Sequence, residues 1–246
     1  LLAHDDAELP DVAQRAFAAD CRRRADDVPL AYLVGEREFY GLALKVTPAV
    51  LVPRADTETL VDWALQVLGD GLAGRSAPRV IDLGTGSGAI ALAIKKRWPS
   101  GIVCACDSSA AALDVARLNA HTLGLDVEFA LSDWWAALAS RRFDLVVGNP
   151  PYIAGNDLHL QALRHEPTVA LSPGTGGLEA IDCIIEGAPQ HLLPLGWLML
   201  EHGHDQADAV CQRLRRAGFV AVQSRTDLAG HRRCSAGRLN RVATGT

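Results

Sequence analysis

Apolar and polar positions follow two different rhythms along this chain. Residues 11–24 are rich in Ala and Arg, with Val12, Ala13, Ala16, Phe17 and Ala19 available to one face of a short helix that ends before Pro29. Between 37 and 46, Phe39, Leu42, Leu44 and Val46 alternate around Tyr40-Gly41, which predicts a β-hairpin. Residues 55–68 carry Leu60, Val61, Ala64, Leu65 and Leu68 at helical spacing, with Asp56 or Thr57 as cap and Glu58 in the first turn. Beyond the Gly-, Pro- and Ser-containing stretch 69–78 the rhythm changes. The runs 79–83, 102–106, 127–130, 143–147, 197–200, 219–223 and 237–242 read as strands. They alternate with helical patterns at 89–97, 109–123, 177–193 and 206–217. Several strands are apolar on both faces, so the expectation is an α/β fold with a parallel sheet covered on both sides. Ligands in such sheets sit outside the carboxyl ends of the strands, and every chemically loaded segment here falls at such an end.

Composition narrows the function classes. A chain of 246 residues, 49% hydrophobic and 22% charged, fits one large domain or one with a small appendage and excludes disordered, collagen-like and coiled-coil classes. At this length about 70–75% of the unfolded surface is buried, so no metal or disulfide staple is required. The net charge of −5 denies the molecule a general basic field for nucleic acid. No apolar run approaches the roughly 18 residues of a membrane helix, so no membrane association is expected. The chain opens Leu1-Leu2-Ala3-His4-Asp5 without a leader pattern or a Met, and further sequence upstream is expected. Cys21, Cys104, Cys106, Cys183, Cys211 and Cys234 show no C-x-x-C spacing and read as free thiols of a cytoplasmic protein, Cys104 and Cys106 on the buried face of a strand. His202 and His204 lack a Cys or carboxylate at ligand spacing, so no metal site is predicted. Arg213, Arg215, Arg216, Arg232 and Arg233 read as solvated charges.

The strand Val80-Ile81-Asp82-Leu83 runs into Gly84-Thr85-Gly86-Ser87-Gly88 and then a helix. Glycines here permit positive φ and close approach of a ligand to the backbone, and the helix start offers free N–H groups. Two cofactors fit the pattern. Gly84-x-Gly86-x-x-Ala89 with Asp107 at the next strand end matches a dinucleotide site, and Gly84-x-Gly86-x-Gly88 after Asp82 resembles the first motif of S-adenosylmethionine methyltransferases. The loop alone leaves both open.

Gly148-Asn149-Pro150-Pro151-Tyr152 follows the strand at 143–147. Consecutive prolines stop pairing and coiling and stiffen the backbone. The Asn149 amide and Pro150 carbonyl are thereby held as two acceptors for a substrate –NH2, and Tyr152 offers a flat wall for a planar group. A carboxamide or exocyclic nitrogen is a poor nucleophile because its lone pair is delocalised. Fixed acceptors on its N–H groups favour a more tetrahedral nitrogen, so catalysis is positioning plus polarisation. An NAD-linked oxidoreductase gives this segment no role.

On these motifs the chain resembles the HemK/PrmC family of protein-(glutamine-N5) methyltransferases that modify peptide-chain release factors. The resemblance extends from Ala31-Tyr32-Leu33 and Arg37-Glu38-Phe39-Tyr40 through Pro53-Arg54-Ala55-Asp56-Thr57-Glu58, the glycine loop, Ser132-Asp133-Trp134, Asn149 to Tyr152, Glu166-Pro167 and Glu201-His202-Gly203. It implies a Rossmann-like class I methyltransferase with a mostly parallel seven-stranded sheet, from 51 to 246, behind a β-hairpin linker at 36–50 and the last part of a helical substrate-binding domain at 1–35. It implies S-adenosyl-L-methionine as cofactor, with Gly84, Thr85, Gly86, Ser87 and Gly88 at its methionine part, Asp107 at the ribose, Asp133 and Trp134 at the adenine. Asn149, Pro150, Pro151 and Tyr152 would form the pocket for the glutamine of a Gly-Gly-Gln motif in the release factor. Arg54 and Glu58 match a segment near the pocket without an assigned role, Arg54 fitting a structural ion pair equally well. The implied partner is a release factor in the cytoplasm, with no direct nucleic-acid contact; a monomer is expected because the sequence offers no obvious dimer helix. Trp135 departs from the family pattern, which has another apolar residue there. N6-adenine methylation of nucleic acid and glutamine methylation of a ribosomal protein are alternatives for the same Asn-Pro-Pro-Tyr chemistry.

Overall fold

The computed structural model describes residues 10–72 and 74–240. An N-terminal helix α1 (Asp11–Ala25) and a short α2 (Leu30–Val34) precede the hairpin β1 (Glu36–Phe39) and β2 (Leu42–Lys45). After α3 (Glu58–Gln66) the chain alternates β3 (Arg79–Leu83), α4 (Ala89–Arg97), β4 (Ile102–Asp107), α5 (Ala110–Leu123) and β5 (Glu128–Leu131). Then come β6 (Phe143–Gly148), α6 (His159–Ala162), α7 (Glu179–His191), β7 (Leu192–Glu201), α8 (Ala207–Arg216), β8 (Phe219–Thr226) and β9 (Arg232–Leu239).

The sheet has seven strands in the order β5-β4-β3-β6-β7-β9-β8. Every neighbouring pair from β5 to β7 is parallel, and β9 alone runs against the rest. Alternate side chains separate the two covered faces. Val80, Val103, Ala105, Leu145 and Val147 pack with α3 and α4, while Ile81, Leu83, Cys104, Cys106, Val146, Leu198 and Leu200 pack with α7 and α8. All positions of β6 are buried, which suits the apolar Leu145-Val146-Val147, while the buried Asp144 is met by Arg79 N at 2.7 Å and by Arg75. The fold is therefore the expected α/β class with a mostly parallel seven-stranded sheet covered on both sides, and Cys104 and Cys106 are free and buried as read.

Chain direction across the sheet reverses beside β3. The path β3-β4-β5 grows one way and β6-β7 the other, leaving a crevice above the carboxyl ends of β3, β4 and β6. Gly148 lets that region close up, since a Cβ there would lie 2.8 Å from the Leu83 carbonyl oxygen.

The hairpin turns at Tyr40 (φ 51°) and Gly41 (φ 76°), two successive positive φ values that match the twist of the strands. Tyr32, Val46, Val50 and Val52 of this N-terminal region pack on Ala112 and Val115 of α5. Asn119 of α5 adds a polar link. Its Oδ1 accepts from Lys45 N at 2.7 Å, and its Nδ2 donates to the Lys45 and Ser87 carbonyls at 3.0 and 2.9 Å. The hairpin and the glycine loop thus share one buried amide.

Three expectations are corrected. Neither Asp56 nor Thr57 caps α3 with its side chain, because 55–57 forms a 3-10 turn and Thr57 points elsewhere. The final strand lies upstream of the predicted 237–242, since the turn closed by Gly230 N and Asp227 O sends the chain straight back along β8; residues 241 and 242 lie outside those described. Arg213 is not simply solvated, for its Nε reaches Asp182 of α7 at 2.5 Å. The expected N-terminal helix forms as α1, with Val12 and Phe17 72% and 68% exposed.

Candidate active site

Gly84, Thr85, Gly86 and Ser87 line a cavity of about 410 Å³ in the crevice. Gly88 does not line it. Gly88 has φ 85°, and a Cβ there would meet Leu92 Cδ1 at 3.0 Å and Ala116 Cβ at 3.3 Å, so it serves the start of α4. Beneath the loop Thr85 Oγ1 donates to Asp82 Oδ2 at 2.6 Å, and Ala91 N donates to the same oxygen at 3.2 Å. Burial pushes the Asp82 carboxyl up to about 7 against those two hydrogen bonds, and the Asp107 charge pushes the same way. Among the described residues Asp82 Oδ1 has no hydrogen-bond partner.

Asp107 ends β4 on the cavity wall. Its Oδ2 accepts from Gly86 N and its Oδ1 from Ser109 N, both at 2.9 Å. Each carboxylate oxygen has two lone pairs, so both keep capacity for a ligand hydroxyl. Ser132, Asp133 and Trp134 form the adjoining wall. Trp134 is held at φ 45° with its carbonyl accepting from Ser132 Oγ at 2.8 Å, and its indole lies 3.4 Å from where a Gly84 Cβ would stand. Trp135 turns away from the cavity. It donates from Nε1 to the Ile184 carbonyl at 3.3 Å and stacks on His191 with centroids 4.6 Å apart.

From β6, Asn149 and Pro151 face the cavity, while Pro150 is buried and not among its lining residues. Asn149 Nδ2 donates to Thr57 Oγ1 at 3.3 Å, and no described residue donates to its Oδ1. Tyr152 departs from the expected flat wall. Its carbonyl accepts from Gln206 Nε2 at 3.0 Å, and its hydroxyl reaches Glu201 Oε1 at the end of β7 at 3.4 Å. Tyr152 is not among the residues that line the cavity.

The two unassigned side chains now have partners. Arg54 Nη2 pairs with Glu166 Oε1 at 2.5 Å, and Glu166 Oε2 accepts from Val52 N at 3.0 Å, so this buried carboxylate pins 52–54 beside Pro167 and Val169 on the cavity wall. Glu58 Oε1 accepts from Tyr40 N at 2.9 Å and holds the hairpin turn. His202 is buried, donating from Nδ1 to the Gly203 carbonyl at 2.8 Å and accepting at Nε2 from Ser235 Oγ at 2.7 Å, which ties β7 to β9.

Sequence reasoning missed Thr57, Asn119, and any role for Glu201. Glu201 had a signal: a lone acid ending the apolar run Leu198-Met199-Leu200, as Asp107 ends β4. Thr57 stood within the Pro53–Glu58 segment of the resemblance, though its partner was not readable there; Asn119 had no signal, since its partners are distant in sequence.

Two family models match the chain, the PrmC N-terminal domain over residues 1–35 and the methyltransferase small domain over residues 57–174. The release factor glutamine methyltransferase of Xylella fastidiosa (strain Temecula1) is 50% identical over 241 residues, which is 97% of this chain and 86% of that protein. The protein of the same name from Bordetella pertussis is 50% identical over 242 residues, covering 97% and 88%. The chain belongs to the release factor glutamine methyltransferase family. The fold of this family member is also that of a methyltransferase from Pyrococcus furiosus, with TM-score 0.61, 17% identity and coverage of 89% of this chain and 98% of that one. The Thermus thermophilus 16S rRNA N2 G1207 methyltransferase, solved with AdoMet and guanosine, gives TM-score 0.61 at 20% identity over 83% of this chain and 50% of that one.

Proposed function

We propose that this chain transfers a methyl group from S-adenosyl-L-methionine to the side-chain amide nitrogen of the glutamine in the Gly-Gly-Gln motif of a release factor. The cavity fits the cofactor. Its floor is backbone bare of side chains at Gly84 and Gly86, and Asp107 on the wall offers negative charge to a ligand carrying sulfonium and ammonium groups. A volume of about 410 Å³ lies within the roughly 300–1,000 Å³ of small-molecule sites. When bound, the cofactor supplies an electrophilic methyl group. Gly84, Thr85, Gly86 and Ser87 would hold its amino-acid end, Asp107 its ribose hydroxyls, and Asp133 with Trp134 its adenine.

One observation carries the substrate assignment: Asn149 presents an acceptor to the cavity while its Nδ2 is tied back to Thr57. An acceptor without a general base suits an amide, which needs its N–H groups held and its nitrogen aimed, not deprotonated in advance. Pro150 and Pro151 stiffen that presentation. No helix among the described residues is long and apolar enough to cross a membrane. The reading places the enzyme, as a monomer, with release factors in the cytoplasm, on a helical N-terminal substrate-binding region at 1–35 and a hairpin at 36–50.

The test incubates the protein with labelled S-adenosylmethionine and, separately, a release factor, ribosomal proteins and adenine-containing DNA, then maps the label by mass. Label on the release factor glutamine is expected; label on adenine or a ribosomal protein overturns the assignment. Asn149→Ala should lower transfer at least ~100-fold, the scale of a lost polarising contact, with cofactor affinity nearly intact.

A further inference from the structure

We propose that Gln206 is a positioning residue for methyl transfer, clamping the Asn149–Tyr152 turn to the segment 171–177 so that two walls of the cavity keep one fixed spacing. This rests on the glutamine-methylation reading. Gln206 does not itself line the cavity; it stands just before α8, beside the turn that follows β7. Its Nε2 donates to the Tyr152 carbonyl at 3.0 Å and to the Gly177 carbonyl at 3.2 Å, and its Oε1 accepts from Gly203 N at 2.9 Å. A carboxamide has two N–H donors, and here they go to two different loops while the oxygen holds a third. Side chains at a helix start commonly turn back onto the first N–H groups of their own helix. In α8 no such bond forms, and the Gln206 side chain is directed wholly at the loops around the site.

The two loops it joins run side by side. Ile153 N donates to the Leu171 carbonyl at 2.9 Å, and Gly155 N to the Gly174 carbonyl at 2.8 Å. Gly177, at φ 77°, allows the closest approach: a Cβ there would lie 2.7 Å from the Tyr152 carbonyl oxygen and 3.2 Å from Gln206 Nε2. Next to these contacts along the chain come cavity residues, Asn149 and Pro151 on one loop, Ser172, Pro173, Glu179 and Ala180 on the other. Each proline fixes its own φ but not how the turn as a whole sits on the sheet. Gln206 supplies that second constraint, at Tyr152. Because Asn149 works by the aim of its acceptor, a small displacement of the turn lowers the rate without disturbing Gly84 to Ser87. A glutamate here would set a carboxylate against two carbonyl oxygens, so the junction calls for an amide and not an acid.

Methyl transfer to a release factor is measured for the wild type, Gln206→Ala, Gln206→Glu and Gly177→Ala, well below each protein's Tm. The kcat and KM are separated, and cofactor Kd is read by calorimetry. Gln206→Ala should lower kcat about 10- to 100-fold, the scale of a misplaced reacting group, with the cofactor Kd within about threefold. Gln206→Glu, although isosteric, should be no faster than Gln206→Ala. Gly177→Ala leaves Gln206 in place and wedges the same junction, so it should show the same loss of kcat, and it reads the clamp even if Gln206→Ala fails to fold. Wild-type kcat in any of the three variants, or a fall in kcat matched by an equal fall in cofactor affinity, overturns the proposal. Absence of transfer by the wild type would instead sink the glutamine reading itself.

Discussion

Asp107 shows how much one residue at a strand end can hold. Its two oxygens already fix Gly86 and Ser109 through backbone N–H groups, so the cofactor loop and the start of α5 are set by the same carboxylate assigned to the ribose. Hydrogen bonds to a charged group contribute about 1.5–3 kcal/mol each, or roughly 10- to 100-fold in affinity. Asp107→Ala should weaken cofactor binding by at least ~10-fold by calorimetry, and unchanged affinity would place the ribose elsewhere. Asp107, Gly84 and Asn149 were legible because strand, turn and chemistry lie within a few consecutive residues. Thr57 was not. It reads as a helix cap by its place before α3, and only the approach of β6, 92 residues away, makes its hydroxyl a partner of Asn149.

Among elements, α7 carries a constraint invisible to helical periodicity. Gly187 sits inside the helix, where Ala is intrinsically better by about 1 kcal/mol. In the fold a Cβ at Gly187 would fall 2.2 Å from Trp135 Cδ1, because the indole lies flat against the helix on its way to His191. Gly187→Ala should therefore destabilise despite the better propensity, by about 1–3 kcal/mol as overpacking does, seen as a Tm lower by several degrees. A raised Tm would mean the indole moves aside freely. The departure of Trp135 from the family pattern is thus accommodated by a glycine on a neighbouring element. The same dependence on neighbours explains β9: Arg232 and Arg233 break the apolar pattern, yet pairing with β8 draws both into the strand, where Arg233 meets Asp227 at 3.3 Å and Asp56 at 3.7 Å.

Across the whole molecule, two acids buried at the carboxyl end of the sheet set the response to pH. Asp82 and Glu201 are raised from the ordinary carboxyl values of 3.8 and 4.5 to about 7. The folded state binds more protons than the unfolded chain between about pH 4 and 7, so stability is lost as pH rises through that window. The depressed carboxyls, Glu128, Asp157, Glu179, Asp208 and Asp227, act with the opposite sign but only as pH falls toward their own lower values. Tm should fall between pH 5 and 8, and the fall should be shallower in Asp82→Asn. An equal slope in that variant would show that Asp82 is already ionised in the folded protein.

The sequence by itself determined the alternation of strands and helices, the two-faced burial of the sheet, and the cofactor and acceptor motifs at strand ends, because each depends on residues adjacent along the backbone. Only the tertiary structure decided that Tyr152 turns its hydroxyl to Glu201, that Arg54 pairs with Glu166, and that Thr57 meets Asn149. Those contacts join residues tens of positions apart, and a buried polar group takes whichever partner packing brings within reach.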